Sequence, residues 1–168
     1  MATNGITLGQ KFAAELEREA ASTRKMFERL PAEKFNWKPH EKSMPLGYLA
    51  VHITEMIEWG KLAVTTRELD YSAQPYKPFK PTSTAELLQY FDEIVVGAIE
   101  ILRNTSDETM SQTWTVRNGD RIFFSKPREH VIHNDCFNHF IHHRGQLSVY
   151  LRLNDIPVPG VYGPSADE

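Results

Sequence analysis

A chain of 168 residues with 40% hydrophobic content is long enough to bury a full core as one domain, and nothing in it demands a second. Its net charge of −3 supplies no basic field, so sequence-independent attraction to nucleic acid phosphates is not expected. Cys136 is the single cysteine, which excludes an intramolecular disulfide and suits a reducing cytoplasm.

The opening Met1-Ala2-Thr3-Asn4-Gly5-Ile6 has neither the basic start nor the apolar run of a leader, and no uncharged run reaches membrane-spanning length. The expectation is a cytoplasmic protein with no membrane partner. From Leu8 to Leu30, the residues Phe12, Leu16, Ala20, Met26 and Leu30 recur near helical spacing among Glu, Arg and Lys, and Pro31 stops the pattern. After a loop through Trp37 and Pro39, Ser43 as N-cap and Pro45 in the first turn open a second helix that carries His52 and runs to about Arg67. Tyr71 to Pro81 is rich in proline and lacks periodicity, which predicts a loop. Ser83, with Glu86 three residues on, forms a capping box for a third helix through Leu87, Phe91, Ile94, Val95, Ile99 and Leu102.

Alternation in Trp114-Thr115-Val116 and in Arg121-Ile122-Phe123-Phe124 flanks Asn118-Gly119, so a short β-hairpin is predicted between Thr113 and Ser125. The fourth helix starts near Pro127, as a first-turn proline, and continues to about Asn154; Pro157 and Pro159 forbid more helix and leave an extended tail. Four amphipathic helices, one hairpin between helices three and four and no βαβ alternation predict an all-α fold, a four-helix bundle.

The fourth helix holds the most informative stretch, Asn138-His139-Phe140-Ile141-His142-His143-Arg144-Gly145-Gln146. His139 and His143 are four residues apart, so their Cβ vectors diverge by only about 40° and both imidazoles can grip one metal ion. On the same face a regular wheel places Ile132, Asp135, Cys136, Gln146 and Tyr150, with His142 at the edge. Unpartnered burial costs about 1–3 kcal/mol per polar group, so such a cluster calls for a cavity, a metal or a hydrogen-bond network. Against this stands the plainer reading that some are exposed and the rest pair with one another. Phe140 occupies the place where the His-Glu-x-x-His protease pattern needs its glutamate, so that mechanism is not indicated.

His52, amid the apolar run from Tyr48 to Met56, is the natural third ligand, although taken alone it reads as a hydrogen-bonded core histidine rather than a ligand. Three neutral imidazoles would leave a zinc- or nickel-type ion with open positions for water or substrate. Around them, Glu55 is the carboxylate candidate for proton transfer. Asp135 is either an acceptor for a histidine N–H or an exposed charge. His142 takes a hydrogen-bonding or surface role, and His40 reads as a solvated loop residue. Tyr48, Trp59, Gln146 and Tyr150 are candidates to line a pocket, with core packing as the competing role of the aromatics. Cys136 is a nucleophile or a small hydrophobe. Arg144 and Gly145 point away from the histidine face and suggest packing or a cap network. No phosphate-cradling loop, nucleotide fingerprint or Ser-His-Asp arrangement narrows the substrate.

Five segments together, namely Leu30 to Pro39, Ser43 with the His52 helix, Asn138-His139-x-x-His142-His143-Arg144-Gly145-Gln146, Tyr150-Leu151-Arg152 and Val158 to Ser165, resemble the DinB-like proteins, a damage-inducible family of four-helix bundles. The resemblance runs almost end to end. It implies one DinB-like domain over residues 1–168, a divalent metal, Zn or Ni, held by His52, His139 and His143, and a homodimer. Relatives include thiol-cofactor-dependent transferases and isomerases, so it also implies a metal-dependent hydrolase or thiol transferase acting on a small molecule, with a low-molecular-weight thiol as a candidate cofactor. The alternative is a non-catalytic metal-binding bundle with a structural or stress-response role, and a metal-free helical interaction module is the third. An open coordination position separates the first from the second.

Overall fold

The computed structural model describes residues 5–73 and 76–168. Met1 to Asn4, part of the segment expected to lack a leader, and Gln74 and Pro75 of the predicted loop lie outside the described residues. The protein is mostly helical with a small three-stranded sheet, rather than all-α with a lone hairpin.

Helix α1 spans Leu8–Phe27 and begins with a reciprocal cap: Thr7 Oγ1 accepts from the Gln10 N–H at 3.2 Å while the Gln10 side chain accepts from the Thr7 N–H at 3.0 Å. The helix ends three residues before Leu30, which is buried in the turn that follows. Helix α2, Leu46–Thr65, has Pro45 in the cap position and no side-chain cap, so Ser43 does not start it. Leu46, Leu49, Ala50, Val51, Ile53, Met56, Ile57 and Ala63 of α2 are all buried, because α2 packs against other elements on more than one side.

Strand β1, Glu68–Asp70, follows directly and was not predicted. Helix α3, Thr84–Arg103, is capped by Ser83 as expected, but the Glu86 carboxylate turns to the Thr82 N–H at 2.7 Å instead of closing the box on Ser83. A short helix α4, Asp107–Ser111, leads into β2, Thr113–Asn118, and β3, Arg121–Pro127.

The two antiparallel strands turn through Gly119-Asp120, one residue later than the predicted dipeptide, since Asn118 pairs with Arg121. Gly119, at φ 58°, supplies the left-handed conformation at the first turn position. Strand β1 runs parallel to β2, and Asp70 Oδ1 accepts from the Gly119 N–H at 3.0 Å, bracing the turn from a third strand. Phe123 is the extra residue of a bulge, because Val116 pairs with Phe124 and Arg117 with Ile122.

The predicted fourth helix is interrupted. Residues 128–153 form a short α5, Arg128–His130, a π-helical segment, Val131–Phe137, and a regular α6, Asn138–Leu153. The wider turn resets the phase of side chains before Asn138 relative to a regular wheel. Helix α1 packs on α3 and α6, and α2 packs on α3, α6 and the π segment. Arg128 fastens the far end of α2, donating to the Ala63 carbonyl and, at 2.7 Å, to the Thr66 carbonyl. Among the described residues, no helix is long and apolar enough to cross a membrane.

Candidate metal centre

Three imidazoles converge between α2 and α6. Buried Val51 and Ile53 flank His52 on α2, and buried Phe140 and Leu147 hold α6 so that positions 139 and 143 face it. The His52 ring centroid is 5.3 Å from that of His139 and 4.7 Å from that of His143, and the two α6 rings are 4.6 Å apart. One nitrogen of each ring lies within 4.8 Å of the others. Among the described residues no other His, Cys, Asp or Glu joins this group.

Hydrogen bonds on the outer side of the cluster assign the protons. Gln146 Oε1, which can only accept, lies 2.7 Å from His143 Nδ1, so that nitrogen carries the proton and Nε2 keeps its lone pair. Gln146 Nε2 then donates to Nε2 of the exposed His142 at 3.1 Å. Burial pushes the His143 pKa down to about 4, against the opposing Gln146 bond, and also lowers that of His139, where the charge of His52 adds to the effect and the Asp135 backbone opposes it. Both rings are therefore neutral near pH 7, the state in which imidazole binds a metal. The donor set fits a divalent first-row ion with a position left open.

The other sequence candidates divide. The Asp135 carboxylate pairs with Lys126 at 3.0 Å, so it is tied to the sheet rather than to a histidine; the π turn has rotated it off the expected face. Glu55 lies 3.7 Å from His52 Nδ1 and accepts from the Tyr76 hydroxyl at 2.7 Å. Tyr48, His52, Glu55 and Trp59 line a cleft of about 1010 Å³ beside the imidazoles. Gln146 and Tyr150 do not: Gln146 is behind His143, and the buried Tyr150 donates to the Met44 carbonyl at 3.2 Å with Trp37 edge-on. Cys136 is buried and its thiol pKa is pushed up by burial, which suits a small hydrophobe rather than a nucleophile. His40 is exposed and its Nδ1 accepts from the Lys42 N–H at 3.2 Å.

Arg144 does not touch the cluster. It is buried on another face of α6, turned toward α1, where it pairs with Glu19 at 2.6 Å and donates to the Glu19 carbonyl at 3.0 Å and to the Tyr162 hydroxyl at 2.5 Å. Residues that sequence reasoning left out are Tyr71, Tyr76, Phe79 and Tyr90, which complete the cleft wall from the β1–α3 connection and from α3. The density of aromatics between Tyr71 and Phe79 was the available signal.

A family model described as the DinB family matches residues 1–168. The uncharacterized protein YrdA of Bacillus subtilis (strain 168) is 24% identical over 163 residues, covering 94% of this chain and 89% of that protein. Among solved structures, a DinB-like protein from Bacillus cereus ATCC 10987 shares 24% identity with a TM-score of 0.69, covering 94% of this chain and 99% of that one. The DinB-like protein YjoA from Bacillus subtilis shares 15% identity with a TM-score of 0.72, covering 92% and 99%. At these identities the structural likenesses show the fold.

Proposed function

The chain belongs to the DinB family, and on that premise we propose that His52, His139 and His143 hold one divalent metal ion, Zn or Ni, in service of hydrolase or thiol-transferase chemistry on a small molecule. The observation that carries the reading is the convergence of one nitrogen from each of three rings within 4.8 Å, on two helices, with no fourth protein ligand among the described residues. When bound, the ion would supply Lewis acidity, lowering the pKa of a water or of a low-molecular-weight thiol toward neutrality. The chain's own groups prepare for that: Gln146 orients His143 by its Nδ1 proton, and Glu55 stands at His52 on the cleft side. The fold reading that accompanies it is a four-helix bundle of α1, α2, α3 and the 128–153 run, assembled as a homodimer. The bundle is supported by the closed circuit of packing from α1 to α3, α3 to α2, α2 to α6 and α6 to α1, and the homodimer rests on the family resemblance alone.

Elemental analysis of untagged protein, wild type against a His139→Ala, His143→Ala double variant, tests the reading. Near-stoichiometric metal that disappears in the double variant is expected and justifies a screen of hydrolytic and thiol-transfer substrates. Wild-type protein that remains metal-free after reconstitution with Zn or Ni overturns it.

A further inference from the structure

The cleft beside the histidines has a chemical character of its own. Among the described residues its wall is formed by the aromatic residues Tyr48, Trp59, Tyr71, Tyr76, Phe79 and Tyr90, together with the acidic Glu55, Glu58 and Asp70 and one lysine, Lys77. We propose that the cleft binds a small organic cation, an amine or quaternary ammonium compound, whose positive group stacks on these rings beside Glu55 and Glu58. As the substrate class of the metal centre it rests on the metal reading above; as a binding property it rests on the cleft alone.

The carboxylates are not equivalent. Asp70 is matched by Arg117 at 2.6 Å, and Glu58 lies 3.8 Å from Lys61. Glu55 has no lysine or arginine within ion-pair distance among the described residues, although its side chain is only 12% exposed. The Tyr76 hydroxyl hydrogen-bonds it without neutralising it. An apolar occupant would strip the remaining water from Glu55 without returning a charge, and an anion would be repelled by Glu55, the one of the three acids with no lysine or arginine beside it. A cation compensates Glu55 and gains attraction from the ring faces, which grows as the site is desolvated. The field in the cleft agrees: burial first, then the charges of Glu58 and Glu55, push the Tyr90 hydroxyl up to about 12.

Placement resolves the conflict with a dication. Tyr48, His52, Glu55, Trp59 and Leu62 recur at steps of four and three on α2 and so share one face. Trp59 is seven residues beyond His52, about 10 Å along the helix axis, and its ring is 6.3 Å from that of Tyr71. A cationic head at the Trp59 and Tyr71 end is therefore about two helical turns from His52, with Glu55 at an intervening position on the same face, while the other end of the same molecule reaches toward His52.

The test is calorimetric titration of the untagged protein, as purified and after chelation, with choline and with its neutral isostere 3,3-dimethylbutan-1-ol. Choline is expected to bind saturably and the alcohol at least about tenfold more weakly. Glu55→Gln, which keeps size and an acceptor, is expected to weaken choline about tenfold and leave the alcohol unchanged; circular dichroism and metal content on the same sample register any loss of fold or ion. The inference is overturned by equal affinity for choline and the alcohol, by tighter binding of 3,3-dimethylbutanoate, or by no detectable choline binding. Choline binding that survives chelation leaves it standing even where elemental analysis fails the metal reading, and metal without choline preference does the reverse.

Discussion

His143 and Arg144 are consecutive on α6 and both are buried, yet they belong to polar clusters of opposite kinds. Around Arg144 the groups satisfy one another: Glu19 supplies a carboxylate and a carbonyl, Thr23 a hydroxyl at 3.4 Å, Tyr162 a second hydroxyl that itself donates to Glu19 at 2.8 Å, and the guanidinium lies against the Phe140 and Tyr162 rings. Nothing is left to recruit a ligand, and the cluster ties α6 to α1 and to the C-terminal tail. Around His143 the hydrogen bonds run outward, to Gln146 and on to His142, and no hydrogen bond links the three rings to one another. A closed network holds the fold, whereas converging unshared lone pairs make a site.

Breaking the closed cluster has the largest expected consequence. Arg144→Met leaves Glu19, whose side chain is 14% exposed, without its partner, and urea unfolding is expected to report a loss of about 3–5 kcal/mol. Metal content per folded molecule stays unchanged if the two clusters are independent; loss of metal with the ion pair would erase the distinction.

Acid tests the open cluster. In metal-free protein the His143 ring takes its proton near 4 when folded and near 6.5 when unfolded, so the unfolded chain is protonated first as pH falls. Stability is full above about 6.5, declines as the pH falls from 6.5 toward 4, and levels off below. The decline from this residue is at most about 3 kcal/mol, read from urea midpoints across that range. Midpoints that stay level between pH 6.5 and 4 would mean that the ring is solvated.

Gln146→Ala sharpens the contrast further, because Gln146 is exposed and touches His143 at its outer nitrogen, not at the nitrogen that faces the other two rings. Competition against a chromogenic chelator is expected to show metal affinity reduced at least about tenfold, with a stability change near the measurement error. An unchanged affinity would mean that the ring is oriented by packing alone. Gly119→Ala, remote from both clusters, is expected to cost about 1 kcal/mol through its φ of 58°, with metal content unaffected.

The helices were largely legible because their signals are local. The 3.6-residue recurrence from Phe12 to Met26, the Ser83 cap and the apolar run from Leu87 to Leu102 each lie within one element. Strand β1 was not legible: Glu68-Leu69-Asp70 is too short to show alternation, and it is a strand only because β2, more than 40 residues away, offers its edge. The π segment was missed for a related reason. Nothing in Val131 to Phe137 forbids a regular helix, and the wider turn, seated against α2, took the Asp135 carboxylate to Lys126 and off the wheel position expected of it.

By itself the sequence determined what depends on chain neighbours: the His139 and His143 step of one turn, the hairpin with its glycine, the mid-helix place of His52 and, through recurring motifs, the family. Only the tertiary structure decided which distant groups meet. It set His52 against the α6 pair, turned Arg144 onto Glu19 and Tyr162, and drew Tyr71, Tyr76, Phe79 and Tyr90 around Glu55. The reason is that a helical repeat is encoded in residues three and four apart, whereas the contact between two helices is chosen by the packing of whole faces.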